Sequence, residues 1–147
     1  MSFIKINEAY LVRTFDDLNE RYFKGKLPFI LIVFVSFKQM KQIFGTKHKA
    51  KKSIRGFFKY ASNGSVMIGI TKDYKNTFAI LELRQTVLHE MVHYYFYLRK
   101  GKTYRAMVEK KGGHTIQFKN KLKRLSAKDA KHLIKDFTKS VKHSFIH

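Results

Sequence analysis

The chain has 147 residues, long enough to bury a core as one domain, and its 44% hydrophobic and 15% aromatic content excludes a disordered protein. It has no cysteine, which excludes disulfides, thiol catalysis and cysteine-ligated zinc, so any metal must be held by His, Asp or Glu. The net charge of +21 is unevenly placed: residues 38–60 carry 8 basic and no acidic side chains, residues 99–147 carry 15 and 3, and residues 61–98 balance at 3 and 3. Such asymmetry predicts a polyanionic partner, with DNA or another nucleic acid as the default, held through segments 38–60 and 99–147.

In chain order, Asn7 is placed to cap a first helix, with Leu11, Phe15, Leu18 and Tyr22 at helical spacing and Gly25 closing it. After Pro28, FILIVFVSF (29–37) reads as a buried strand, β-branched and aromatic without polar alternation. Residues 38–52 read as a short helix or turn followed by a loop. IRGFFKYASNGSVMIGIT (54–71) has the pattern of a hairpin, with Asn63-Gly64 supplying the two positive φ angles of a type I′ turn. A helix starting at Asn76 or Thr77 runs to about Lys100, where Gly101 stops it. Its residues 79–98 are apolar on most sides, which predicts a central, buried position.

A basic connection over 102–113 ends in Gly112-Gly113, and a helix carrying Phe118, Leu122 and Leu125 follows. Ser126 to Asp129 has the layout of a capping box, which predicts a separate last helix with Leu133, Ile134, Phe137 and Val141 on one face. With no repeat and no Pro/Gly/Ser linker, residues 1–147 read as one α+β domain: a small mixed sheet of about three strands, an N-terminal helix, a central helix and C-terminal helices. The part from about residue 126 is a basic helical extension. The N-terminus lacks the layout of a signal peptide, and the longest apolar run, Phe29 to Val35, is too short to span a bilayer. The expectation is a cytoplasmic protein with no membrane segment.

The central helix carries LHEMVHYY (88–95). His89 and His93 lie four apart, about one turn, so both imidazoles project from one face. Glu90 lies roughly 100° around the helix, badly placed to ligate beside them and well placed as the general base for a metal-activated water. A charged Glu in an apolar run is costly unless something pairs with it, and a metal site would account for it. Catalytic zinc takes three protein ligands and leaves a fourth position open. His114, after Gly112-Gly113, is the favoured third ligand; Glu109 is the rival. The extended HExxHxxGxxH pattern is absent, since Leu98 and Arg99 stand near where its Gly and last ligand would fall.

An ordered set of segments then resembles the SprT-like family of zinc metallopeptidases over most of residues 10–125. LNERYFKGKLPFILIVFVSF resembles the family's opening helix, its F-x-G-x-LP junction and first strand. Gly45 and the 54–71 hairpin resemble its middle sheet, and LRQTVLHEMVHYY its active-site helix. KGGHTIQFKNKLKRL resembles its Gly-His-Gly-x-x-Phe segment, with His114 and Phe118 in matching places. The resemblance implies a zincin-like fold, Zn²⁺ bound by His89, His93 and His114, and Glu90 as catalytic acid and base. It also implies cleavage of protein substrates on or crosslinked to DNA. Two departures stand out: Thr115 replaces the second Gly of Gly-His-Gly, and the zinc ribbon often found after the domain is missing.

Lys47, Lys49, Lys51, Lys52 and Arg55 are the leading phosphate-contact candidates. Tyr104 reads as a surface tyrosine, with a role in the cleft as the less favoured reading. His48, His132, His143 and His147 read as exposed residues without a role. Two functional alternatives stand beside a zinc endopeptidase. One is a non-catalytic nucleic-acid-binding protein with a structural or vestigial metal site, which an intact Glu90 argues against. The other is a small metallopeptidase cleaving a repressor or antitoxin, which ligation by Glu109 would favour.

Overall fold

The computed structural model describes residues 6–45, 54–72, 80–101, 103–104, 108 and 112–141. Among these, four helices and three strands follow in the order α1 (Glu8–Phe23), β1 (Leu31–Val35), α2 (Phe37–Phe44), β2 (Gly56–Tyr60), β3 (Val66–Thr71), α3 (Ile80–Lys100) and α4 (Ile116–Val141). The expected α+β architecture with a small mixed sheet is thus the one observed.

Asn7 caps α1 as its position predicts, its side chain accepting from the Tyr10 N–H at 3.0 Å. Leu11, Phe15 and Leu18 line one face of α1 and are buried. The Asn19 side chain then pins the turn into the sheet, donating to the Leu27 carbonyl at 2.9 Å and accepting from its N–H at 3.1 Å. β1 is shorter than the apolar run, because Ser36 forms a reciprocal capping box with Gln39 and starts α2 instead. Phe29 and Leu31, expected inside, are exposed.

The strand order is β1-β3-β2, with β1 parallel and β2 antiparallel to the central β3. Alternate residues of β1 face two cores. Ile32 and Phe34 join α1 and α3, whereas Val33 and Val35 pack with Met40 of α2 and Phe57 of β2. Coverage on both faces explains why β1 has no polar alternation.

The hairpin between β2 and β3 turns differently from the expected type I′ geometry. Gly64 is at φ +89°, but among the described residues only Lys24 is a non-glycine with positive φ, so Asn63 lacks the positive φ that a type I′ turn needs. The Ala61 N–H donates to the Ser65 carbonyl at 2.8 Å and the Gly64 N–H to the Ala61 carbonyl at 3.0 Å. This is a three-residue loop closed by one left-handed glycine.

α3 lies against the sheet, α1 and α4, and buries most of its length. Gly101 ends it at φ +50°, as expected. α4 runs without a break from 116 to 141, so the helix start expected at Ser126 does not occur. Asp129, read as part of a cap, is fully buried: it accepts from Arg84 of α3 at 2.9 and 2.8 Å and from the Tyr22 hydroxyl of α1 at 2.8 Å. Arg84 also donates to Asp17 of α1 at 2.8 Å. A tertiary ion pair, not a local cap, fixes the carboxylate.

Candidate metal centre

α3 presents His89 and His93 from successive turns, with ring centroids 5.0 Å apart. The chain returns to them through Gly112 (φ +60°) and Gly113 (φ +78°), backbone angles that favour glycine. A Cβ on Gly113 would come within 3.2 Å of the His93 ring, so any side chain here would press on that ring. Thr115 then starts α4: its hydroxyl accepts from the Phe118 N–H at 3.2 Å, and its carbonyl from the Lys119 N–H at 2.9 Å. The residue that departs from the Gly-His-Gly pattern is therefore a helix cap that holds the neighbouring His114.

The three imidazoles converge. His114 Nε2 lies 3.2 Å from His93 Nε2 and 3.3 Å from His89 Nε2, and the three possible ligand atoms all fall within 4.8 Å of one another. Tetrahedral zinc with bonds of about 2.0–2.1 Å holds its nitrogen ligands about 3.3 Å apart, so two of the three separations match. Phe118, one turn into α4, packs against all three rings at centroid distances of 4.3 to 5.1 Å and fixes their orientation.

Electrostatics agree with a donor set built for a cation. Burial lowers His93 to about 3, with the neighbouring His89 and His114 adding to the effect. Burial and His114 lower His89 to about 4, and burial and Lys119 lower His114. All three are neutral near pH 7, the protonation state metal ligation requires. Glu90, only 6% exposed, is pushed up to about 8 by burial. A divalent cation beside it would supply the opposite charge that its ionised form lacks. The donor set and Glu90 thus fit a metal ion.

Tyr104 corrects one expectation. It is buried rather than at the surface, and its hydroxyl lies 3.0 Å from His93 Nδ1. When His93 offers its Nε2 lone pair to a metal, Nδ1 carries the proton and donates to Tyr104, which fixes both tautomer and ring. Phe58, Tyr60 and Tyr97 pack their rings around Tyr104, and this aromatic wall is what draws it inward. The aromatic run at 94–97 hinted at such a wall; nothing in the local sequence pairs Tyr104 with His93.

Of the phosphate-contact candidates, Arg55 is exposed and lines a cleft beside His89 and Glu90. Lys47, Lys49, Lys51 and Lys52 lie outside the described residues, as do the rival ligand Glu109 and the histidines at 48, 143 and 147. His132 is not free at the surface but lies 3.2 Å from Asp136. A separate group of cations gathers where α3 meets α4. Lys121 Nζ sits 4.1 Å from the Tyr95 ring centroid, and Arg99 lies 5.3 Å from the same ring. Burial and the charges of Arg124, Arg99 and Lys128 lower the Lys121 pKa. No helix among the described residues is long and apolar enough to cross a membrane.

Compared with known families, residues 11–146 match the SprT-like family model, which covers nearly the whole chain. No curated protein gives a match.

Proposed function

The chain belongs to the SprT-like family, and on that premise we propose that it is a zinc-dependent endopeptidase. The observation that carries this reading is the convergence of three histidine Nε2 atoms beside a buried glutamate. His89, His93 and His114 hold the metal. Zinc, when bound, polarises a carbonyl and makes a water acidic near neutral pH. Glu90 takes the proton of the attacking water and passes it to the departing amine nitrogen, serving first as base and then as acid. Tyr104 and Phe118 keep the imidazoles in place while this happens.

The substrates are proteins associated with or crosslinked to DNA. The support is electrostatic: a net charge of +21, two basic segments, and the grouping of Arg99, Arg124 and Lys128 near Lys121, which lies over the Tyr95 ring. Cations held together against their mutual repulsion favour a polyanion that neutralises them.

The test compares wild type and Glu90→Gln, both zinc-loaded, on basic DNA-binding proteins with and without DNA. Glu90→Gln keeps its zinc and loses cleavage by about 10²- to 10⁴-fold. Undiminished cleavage by that variant would sink the mechanism. DNA accelerates the wild type at low salt and less so as salt rises; a rate indifferent to DNA removes the nucleic-acid part and leaves the peptidase part standing.

A further inference from the structure

Two clefts flank the His89–Glu90 pair, and their walls differ in chemistry. One, of about 260 Å³, holds the histidine cluster, and the rest of its lining is mostly apolar, with Phe44, Ile54, Phe57, Phe58 and Val108. The other, of about 510 Å³, is lined by Arg55, Glu82, Gln85, Thr86 and Ser126, with Leu122 as its one large apolar side chain. Both are bounded by Gly56, His89 and Glu90, whereas His93 and His114 line the first alone, so the histidine cluster sits in the first cleft where it meets the second.

β2 relates the two clefts to a direction. It begins at that junction with Gly56 and continues through Phe57, Phe58 and Tyr60 along the apolar cleft. Among the described residues it is the outer strand of the sheet, paired with β3 on one side. An extended peptide that adds to the outer side antiparallel, the more stable pairing, runs from the apolar cleft towards Gly56 and the polar one.

Resting on the peptidase reading, we propose that the site selects an asymmetric peptide: a large aliphatic or aromatic residue on the N-terminal side of the scissile bond, a polar or charged residue on the C-terminal side. A charged side chain set against Phe44, Ile54 and Phe57 would lose its hydration, and the one carboxyl of that cleft, Glu90, is taken up by the reaction. The opposite cleft offers both signs of charge, Arg55 and Glu82, together with an amide and hydroxyls. Arg55 and Glu82 are both exposed, so reversing either charge leaves the core intact.

The experiment digests a mixture of unfolded proteins with the zinc-loaded protein and identifies the cut sites by mass spectrometry. Glu90→Gln defines the background. Large apolar residues are enriched about tenfold over Asp and Lys immediately before the cut bond. Arg55→Glu turns the preference after the bond away from acidic residues, Glu82→Lys turns it away from basic ones, and neither alters the apolar preference before it. A flat profile, a reversed one, or charge reversals that change nothing would overturn the asymmetry while the cuts themselves uphold the peptidase. Absence of any Glu90-dependent cut overturns the peptidase reading and this inference with it.

Discussion

Arg84 and His89 stand five residues apart on the same buried helix, yet their polar surroundings are opposite in kind. Arg84 has three hydrogen bonds to two carboxylates, and one of these, on the fully buried Asp129, also accepts from Tyr22. Burial acts to lower the Arg84 pKa, but Asp129 and Asp17 outweigh it and the guanidinium stays charged. At His89, His93 and His114 the nitrogens face one another across 3.2 and 3.3 Å, and burial pushes the adjacent Glu90 up to about 8. A saturated cluster specifies how three helices assemble. A cluster of neutral nitrogen donors beside a buried carboxyl is a donor set that could hold a cation. Burial alone does not separate the two; the kind of group each side chain faces does.

The sharpest way to break this comparison is to remove a partner from the saturated side. Asp129→Ala leaves Arg84 buried without its main carboxylate and should cost about 3–5 kcal/mol. For a chain of this size that lowers Tm by about 10 °C or more. The folded fraction keeps its affinity for zinc. Loss of zinc affinity in protein that is still folded would show that the two clusters act as one.

Metal occupancy comes next in size. Zinc that binds only the folded state at 100 to 1,000 times Kd adds about 2.7–4.1 kcal/mol, so chelation lowers Tm and zinc restores it. His114→Ala abolishes most of that response, and a full zinc shift in this variant would return the third-ligand position to another group. Tyr104→Phe is smaller again. It removes the acceptor of the His93 Nδ1 proton without emptying the aromatic wall, and weakens zinc by about 10- to 100-fold. Competition against a chelator measures it, and an unchanged affinity would reduce Tyr104 to packing.

The same contrast marks what could be read from the chain beforehand. His89, Glu90 and His93 are legible because their relation is local, set by helical periodicity. His114 was within reach because Gly112-Gly113 advertises a close approach, and Gly113 does pack against the His93 ring. Asp129 is not legible locally, because Ser126 to Asp129 satisfies a capping pattern while its partner Arg84 lies 45 residues away. Tyr104 is hidden for a similar reason: its basic neighbours in sequence point to solvent, and rings from β2 and α3 outweigh them. At Asn63-Gly64 the turn residues were right and the loop length was wrong, since strand ends depend on pairing across the hairpin.

The smallest test probes the rim of the saturated cluster through pH. Burial acts to raise the Asp17 pKa, but hydrogen bonds and charge from Arg84 and Arg21 outweigh it and hold it below its ordinary value of 3.8. A carboxylate depressed in the folded state stabilises the protein above its unfolded pKa and loses that contribution as pH falls through the folded one. Asp17 is partly exposed, with 37% of its side chain open to solvent, so screening keeps the effect below about 1 kcal/mol. Asp17→Asn should therefore be slightly less stable than wild type near pH 7, and the gap should close below about pH 4. Denaturant melts of both proteins in chelator, compared at each pH, isolate this difference because the histidines are common to both. A gap that persists unchanged at pH 2.5 would mean that Asp17 acts through its shape and hydrogen bonds rather than its charge, and that the salt bridge it shares with Arg84 adds little to the Arg84–Asp129 pair beneath it.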